Sequence, residues 1–361
     1  MTDAYAAAGV DTRQADRGVA ALVSVLGAIE TGRERLAVPL PGHYASVLRI
    51  APNLGIALAT DSVGSKVIVA EQAQRFSTIG IDCVAMNVND LICVGAEPLA
   101  LLDYLAVESA DPGLLAELAE GLRIGASEAA VEIPGGEVCQ LPEVIRGHPS
   151  PYGFDLVGSA FGTVALDAIV DGTACAPGDA VIGLPASGVH SNGLTLARRV
   201  LLEEGGLALD ACPPGLAGAS VADALLEPTV IYVRAVLELL RSDVAVHGLA
   251  HITGGGLLNL LRLNPTRPGV GFEITAPLPV LPVFSFIAEL GGVPAAEMWE
   301  VFNMGCGFCA VVPAAEADRA VELLAGRHPG SAIIGRVTDA GGHVSVPSVG
   351  IEGEGGRIRA V

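Results

Sequence analysis

A chain of 361 residues exceeds what one hydrophobic core usually organises, so two domains with a cleft between them are expected. Its 40 acidic and 20 basic side chains give a net charge of −20, spread along the chain. That balance disfavours a nucleic-acid partner and leaves any phosphate-bearing ligand to metal ions, backbone N–H groups and a few placed cations. Hydrophobic residues make up 51% and mean hydropathy is +0.54. The longest apolar stretch, Gly18 to Ile29, is bounded by Arg17 and Glu30 and falls well short of the roughly 20 residues a membrane span needs. We therefore expect a buried amphipathic helix there and no membrane partner. The start Met1-Thr2-Asp3-Ala4-Tyr5 has no basic leader, and the seven cysteines are odd in number and irregularly spaced, so a reducing, cytoplasmic location is expected.

In chain order, residues 11–31 read as a helix with Asp11 as N-cap and Val19, Leu22, Val23, Leu26 and Ile29 on one face. Gly55 to Thr60 is a short strand, residues 79–94 a helix stopped by Gly95-Ala96-Glu97-Pro98, and Leu99 to Val107 a strand. A helix over 112–131 leads to an expected turn at Pro134-Gly135-Gly136, and a strand over 154–166 to the turn-rich segment 171–179, where we place the domain boundary. The second half restarts with a strand at 180–184, a helix at 193–202 and a glycine loop, Gly254 to Gly256, opening another helix. Residues from Gly341 onward read as irregular strands and turns, with Glu352-Gly353-Glu354 a solvated turn. Cys306-Gly307-Phe308-Cys309 has no second ligand pair at zinc-site distance and reads as strand packing.

Three places concentrate chemistry. Strand 55–60 runs into Asp61-Ser62-Val63-Gly64-Ser65-Lys66, a carboxylate, a glycine and the only lysine of the chain, which suits a metal and a phosphate chain together. On the helix from Ile79, Val84, Ala85, Val88, Leu91 and Ile92 fall in one arc and Asp82, Asn87, Asn89 and Asp90 in the opposite one. A solvated face is normally written with Glu, Lys, Arg and Gln. Short Asp and Asn side chains instead hold oxygens near the backbone, which suits hydrated magnesium. Third, Gly135-Gly136-Glu137, Ser187-Gly188-Val189-His190-Ser191-Asn192-Gly193 and His251-Ile252-Thr253-Gly254-Gly255-Gly256 each place small and polar residues near a helix start, where free N–H groups favour anions. His190 and His251 read equally well as core or capping histidines.

These segments resemble the aminoimidazole ribonucleotide synthetase (phosphoribosylformylglycinamidine cyclo-ligase) family, archaeal-type branch. The likeness is carried by Thr60 to Lys66, Gly80-Ile81-Asp82, Asn87-Val88-Asn89-Asp90 with Gly95-Ala96-Glu97-Pro98, the three loops above, Phe302-Asn303-Met304-Gly305, and the opening Tyr5 to Asp11. It runs through both halves in the family's order. Three positions depart from the family: Ser62 stands where glycine is usual, Val138-Cys139 where Thr-Ala is usual, and Leu40-Pro41-Gly42-His43-Tyr44-Ala45 replaces a glycine-rich segment. The resemblance implies an α/β (α+β) fold with an N-terminal ATP-binding and dimerisation domain (1–170), pairing into a dimeric β-barrel, and a C-terminal α/β domain (171–361). It implies ATP, Mg2+ and optionally a monovalent cation, a small ribonucleotide substrate and a homodimer. It assigns Asp61, Asp90 and Glu137 to metal. ATP and its phosphates fall to Asp61, Gly64, Ser65, Lys66, Asn89, Asp90, Gly95, Ala96, Gly135, Gly136 and Glu137. The substrate falls to His190, Ser191, Asn192, Gly193, Thr253, Gly254, Gly255 and Asn303, and catalysis to Lys66, Asp61, His43 and His190. Lys66→Ala is expected to cut turnover with the fold intact. Another ATP-using member of the superfamily, such as formylglycinamidine synthetase or a small-molecule kinase, and a catalytically silent nucleotide-binding regulator are the competing readings. No Asp-Asp pair is present for a thiamine-phosphate kinase, and no reactive cysteine precedes Lys66 for a selenophosphate synthetase.

Overall fold

The computed structural model describes residues 12–263 and 269–361; Asp11 and the opening Tyr5 segment lie outside the described residues. Two sheets organise the chain. The first has five strands, β1 (Ser46–Ala51), β2 (Leu54–Ser62), β3 (Glu97–Val107), β4 (Glu132–Gln140) and β5 (Phe154–Val164), in the order β1-β2-β5-β3-β4. All its neighbours are antiparallel except β3 and β4. The second contains β6 (Ala180–Pro185), β7 (Gly248–His251), β8 (Gly271–Glu273), β9 (Cys306–Val312), β10 (Ala332–Thr338), β11 (His343–Val346), β12 (Ile351–Glu354) and β13 (Arg357–Ala360), in the order β13-β12-β11-β8-β10-β6-β9-β7. The mixed α/β class is therefore as expected.

Four helices fall in the first half: α1 (Thr12–Leu26), α2 (Lys66–Ala73), α3 (Ile79–Cys93) and α4 (Pro112–Ala129). Helices α3 and α4 pack together where Gly80 meets Gly121. A Cβ at Gly121 would lie 2.3 Å from the Ser77 carbonyl oxygen, so only glycine lets the two backbones approach this closely. Helix α3 lies on β2 and β5 on one side and touches β7 and the Val233–Leu240 helix on the other, which makes it the element shared by both halves.

The alternation of β5 is regular: Phe154, Leu156, Gly158, Ala160, Gly162 and Val164 are buried and the residues between them half-buried. Cross-strand register carries that division over the sheet. Asp61, Gly158, Asp103 and Gly136 form one row on the face covered by α3; Tyr104, Val157 and Glu137 belong to the opposite, outer face.

Three expectations change. Pro134-Gly135-Gly136 is not a turn but the middle of β4, an edge strand whose pairing with β3 shifts register between Ala100 and Leu102, a setting that tolerates proline. Glu352 to Glu354 lies in strand β12, with Gly353 buried. The glycine loop at 254–256 opens a helix as expected, a 3-10 helix over Gly256–Leu263. Helix α1 forms, but its apolar stripe is not buried: Leu22 is 59% and Val23 60% exposed. The Cys306/Cys309 reading holds: both lie buried in β9, with Sγ atoms 3.6 Å apart. Among the described residues no helix is long and apolar enough to cross a membrane.

Substituting Gly121 with Ala forces apart a backbone-to-backbone contact that no rotamer change can relieve. Chemical denaturation of Gly121→Ala should show a loss of about 1–3 kcal/mol.

Candidate functional site at the seam between the two sheets

Helix α3 determines what the seam can do. Its polar arc, read from sequence as suiting hydrated magnesium, is mostly enclosed: Asp82, Asn87 and Asn89 are fully buried, and only Asp90 keeps a fifth of its side chain exposed. A buried polar group is costly unless paired, so each must find a partner. Asp82 takes the Lys66 ammonium at 2.8 Å and accepts from the Thr229 amide at 2.8 Å and hydroxyl at 2.7 Å. Asn89 accepts from the Tyr232 amide at 3.0 Å and donates to the Val230 carbonyl at 2.8 Å. Asn87 donates to the Asp61 and Cys83 carbonyls. Asp90 Oδ1 lies 2.9 Å from His251 Nδ1 at the end of β7.

Lys66 is therefore not a free phosphate ligand in this arrangement. It is wholly enclosed, and besides Asp82 it donates to the Glu227 carbonyl at 2.6 Å, so it ties α2 and α3 to the second half of the chain. Burial pushes its pKa down and Asp82 pushes it back up. Asn89 and Asn303 are likewise engaged in holding structure. Asn303 donates to the Gly188 carbonyl and accepts from the Gly305 amide, pinning two loops together. Gly95 and Ala96 close the C-terminal end of α3, their amides donating to the Ile92 and Leu91 carbonyls, so those N–H groups are not offered to a phosphate.

Three of the expected loops do meet. Gly64 faces the Ser191 carbonyl, Ser65 Oγ lies 3.1 Å from Thr195 Oγ1, and Gly254 packs toward the Asn192 amide. Gly193, at φ +77°, starts the Leu194–Arg198 helix and leaves no room for a Cβ against Phe302. Thr253 and Gly255 sit half-buried beside them, Thr253 accepting from the Gly256 amide. Asp61, at the end of β2, belongs to this zone. Burial first and the charge of Asp90 second raise its pKa above the ordinary carboxylate range, so the two carboxylates feel each other without a cation between them.

Two histidines complete the seam, and their hydrogen bonds decide their chemistry. His43 Nδ1 accepts from the Tyr44 amide at 3.0 Å, which puts the proton on Nε2, a buried atom without a partner. Burial lowers its pKa to about 4 against the pull of Asp171 and the help of Arg262. His190, at φ +61°, accepts from the Ser187 amide through Nε2 at 3.2 Å, leaving Nδ1–H unpartnered, and burial holds its pKa well below the ordinary value. Both are neutral rings presenting an orphan N–H donor, so they suit an oxygen acceptor rather than acting as bases. Asn87 Oδ1 and Asn192 Oδ1 are further buried atoms without a partner here.

Gly135, Gly136 and Glu137 do not join this group. They lie on β4, three strands from β2, about 14 Å at ~4.8 Å per strand, and Glu137 points to the outer face. The reasoning from sequence left His251 and Arg262 outside the site. Arg262 stacks over the Tyr44 ring at 4.8 Å and its charge bears on His43. Neither belongs to a helix face or ligand spacing that marks it; the one hint was that His251 opens the loop His251-Ile252-Thr253-Gly254-Gly255-Gly256, where it read equally well as a core or capping histidine. A groove of about 440 Å3 lined by Leu54, Gly95, Val170 and Leu237 is a separate feature, mostly apolar, with the Glu97–Arg241 ion pair among its residues.

The AIR synthase related protein N-terminal domain matches residues 42–164, and the C-terminal domain of the same description matches residues 176–346. Phosphoribosylformylglycinamidine cyclo-ligase of Methanothermobacter thermautotrophicus is 46% identical over 343 residues, covering 95% of this chain and 96% of the relative. The enzyme of that name from Thermococcus kodakarensis is 47% identical over 351 residues, covering 96% and 99%. Among solved structures, AaThiL complexed with AMPPCP and TMP aligns with TM-score 0.62 at 17% identity, covering 94% of this chain and 95% of that one. Escherichia coli HypE aligns with TM-score 0.58 at 19% identity, covering 85% and 84%. These last two likenesses concern the fold alone.

Lys66→Ala, which the lone-lysine argument expected to spare the fold, should instead leave Asp82 buried and unpaired. Equilibrium unfolding of this variant should register a loss of about 3–5 kcal/mol; a variant as stable as the parent would restore Lys66 to the phosphate role.

Proposed function

This chain belongs to the AIR synthase related protein family, and we propose that it is an ATP-dependent cyclo-ligase. It converts formylglycinamidine ribonucleotide to aminoimidazole ribonucleotide with release of ADP and phosphate. The observation that carries the reading is the seam itself: Asp61 and Asp90, close enough for one to raise the pKa of the other, together with two buried neutral histidines, His43 and His190, that each keep an unpartnered ring nitrogen, in a chain 46–47% identical over 95–96% of its length to enzymes of that name.

The chemistry asks for little covalent participation. The formyl oxygen is a poor leaving group. Transfer of the γ-phosphoryl from ATP to that oxygen makes phosphate the leaving group, and the amidine nitrogen then closes the five-membered ring as phosphate departs. The protein's task is to hold the oxygen and the γ-phosphorus in line and to offset charge. His43 Nε2–H and His190 Nδ1–H donate to substrate or phosphate oxygens. The Ser191, Asn192, Gly193 and Thr253, Gly254, Gly255 loops seat the ribose phosphate, and Gly64 with Ser65 lets the triphosphate approach.

Asp61 and Asp90 are the residues that would hold magnesium, and the ion, when bound, neutralises charge on the phosphates. The donor set fits: hydrated magnesium takes one or two carboxylates together with substrate oxygens, and burial first and the charge of Asp90 second raise the pKa of Asp61. Among the described residues no three His, Cys, Asp or Glu side chains form a ready cage, and Glu137 is left out of the metal set because it faces the other way. A division at residues 170 and 171 is supported by the strands of the first sheet ending at Val164 and those of the second starting at Ala180. A cytoplasmic location accords with seven unpaired thiols.

The outer face of the first sheet supports a homodimer. Leu102 and Tyr104 stand there 40% and 42% exposed beside half-buried Leu58 and Phe161, an apolar face with no cover among the described residues. Two copies pairing these faces would close the sheets on each other.

Incubating the protein with formylglycinamidine ribonucleotide and Mg-ATP should yield ADP and the aromatic amine in equal amounts, with Asp61→Asn losing at least about a hundredfold in turnover. ADP without amine would point to a kinase, and nucleotide binding without either product to a regulator. Leu102→Glu combined with Tyr104→Glu should convert a dimer to a monomer in sedimentation; an unchanged mass would place the interface elsewhere.

A further inference from the structure

We infer that His251 is a positioning residue for Asp90, held in one tautomer by Asn89, so that the second half of the chain sets the aim of a carboxylate belonging to the first. The inference rests on the reading of Asp90 as a magnesium ligand.

The argument starts from Asn89, whose orientation is unambiguous. The Tyr232 amide can only donate and the Val230 carbonyl can only accept, so Oδ1 faces Tyr232 and Nδ2 faces Val230. The same Nδ2 lies 3.5 Å from His251 Nε2. A donor on that side makes Nε2 the acceptor nitrogen and leaves the proton on Nδ1. Nδ1–H then donates to Asp90 Oδ1 at 2.9 Å. Each link crosses the seam: Asn89 and Asp90 are neighbours on α3, while Val230, Tyr232 and His251 come from the second half.

Burial makes the arrangement stiff. His251 is fully enclosed and lies against Phe308, ring centroids 6.3 Å apart, so the imidazole has no water to turn toward. Asp90 is the one polar residue of the α3 arc that keeps some exposure. With Oδ1 taken by His251, its carboxylate is fixed in rotation. A ligand carboxylate whose outer partner is removed typically loses ten- to a hundredfold in metal affinity, because its orientation must then be frozen on binding.

The experiment uses Mn2+ alone as the probe, titrated against the full-length protein with the free ion followed by electron paramagnetic resonance. The half-saturating Mg2+ concentration of the cyclo-ligase reaction and melting temperatures in chelator are measured alongside. Asp90→Asn serves as the reference. His251→Ala should weaken Mn2+ binding about ten- to a hundredfold and raise the half-saturating Mg2+ by a similar factor, with kcat at saturating Mg2+ largely kept. His251→Asn, whose Nδ2 can stand where Nδ1 stood, should recover most of the affinity even if both variants melt at the same lowered temperature. Equal loss in the Ala and Asn variants, or parental Mn2+ affinity in His251→Ala while Asp90→Asn binds poorly, would overturn the positioning role and leave Asp90 as a ligand. Parental affinity in Asp90→Asn would remove the metal reading and this inference together.

Discussion

A helix buried on nearly all sides yet carrying Asp82, Asn87 and Asn89 is stable only if those groups are answered, as all but Asn87 Oδ1 are, and that constraint organises the molecule. For Asp82 and Asn89 the answers come from the far half of the chain: Thr229 for Asp82, Tyr232 and Val230 for Asn89; His251 does the same for the less buried Asp90. Apolar contact between two sheets and a helix would be satisfied by many sliding arrangements. Directional partners inside a low-dielectric seam accept one, because displacement by an ångström leaves a buried donor or acceptor unpaired. The relative placement of the loops at 61–65, 187–193 and 253–256 follows from this register rather than from the loops themselves.

The same constraint redistributes charge. The single ammonium of the chain lies in the latch with Asp82, so the seam facing a phosphate-bearing ligand has neutral histidine N–H donors, backbone amides and Arg262 to work with. Asp61 and Asp90 meanwhile remain close enough for one to raise the pKa of the other. In a protein of net charge −20 such a pair is held at an electrostatic cost, which a divalent ion bound between them would relieve. Preorganised donors and neighbouring carboxylates are what phosphoryl transfer by positioning requires.

Local structure was largely legible along the chain. The apolar period over residues 79–94 and the Gly95 stop produced α3 within a residue of its observed end, and the alternating run from Phe154 produced β5. Failures share a cause. Pro134-Gly135-Gly136 carries every local mark of a turn, but β3 offers a parallel edge that extends it into a strand. The apolar stripe of α1 forms as its periodicity demands, while its burial depends on a surface that the described residues do not supply. The polar arc of α3 was assigned to solvent or metal because periodicity separates polar from apolar and says nothing about whether another domain covers the polar side.

Residue type and order were enough to establish the fold class, the family and the small set of loops from which the site is built, since those follow from local propensity and from motifs whose spacing survives in one dimension. Which of the marked residues face a ligand was decided only in three dimensions. Lys66 and Asn89 bear the marks of phosphate contacts but serve as ties across the seam, Asn303 ties two loops of the second half together, Glu137 lies on the outer side of its sheet, and His251 stands behind Asp90. The reason is that a side chain's role depends on the partner its direction brings within about 3 Å, and that partner sits as many as 215 residues away along the chain.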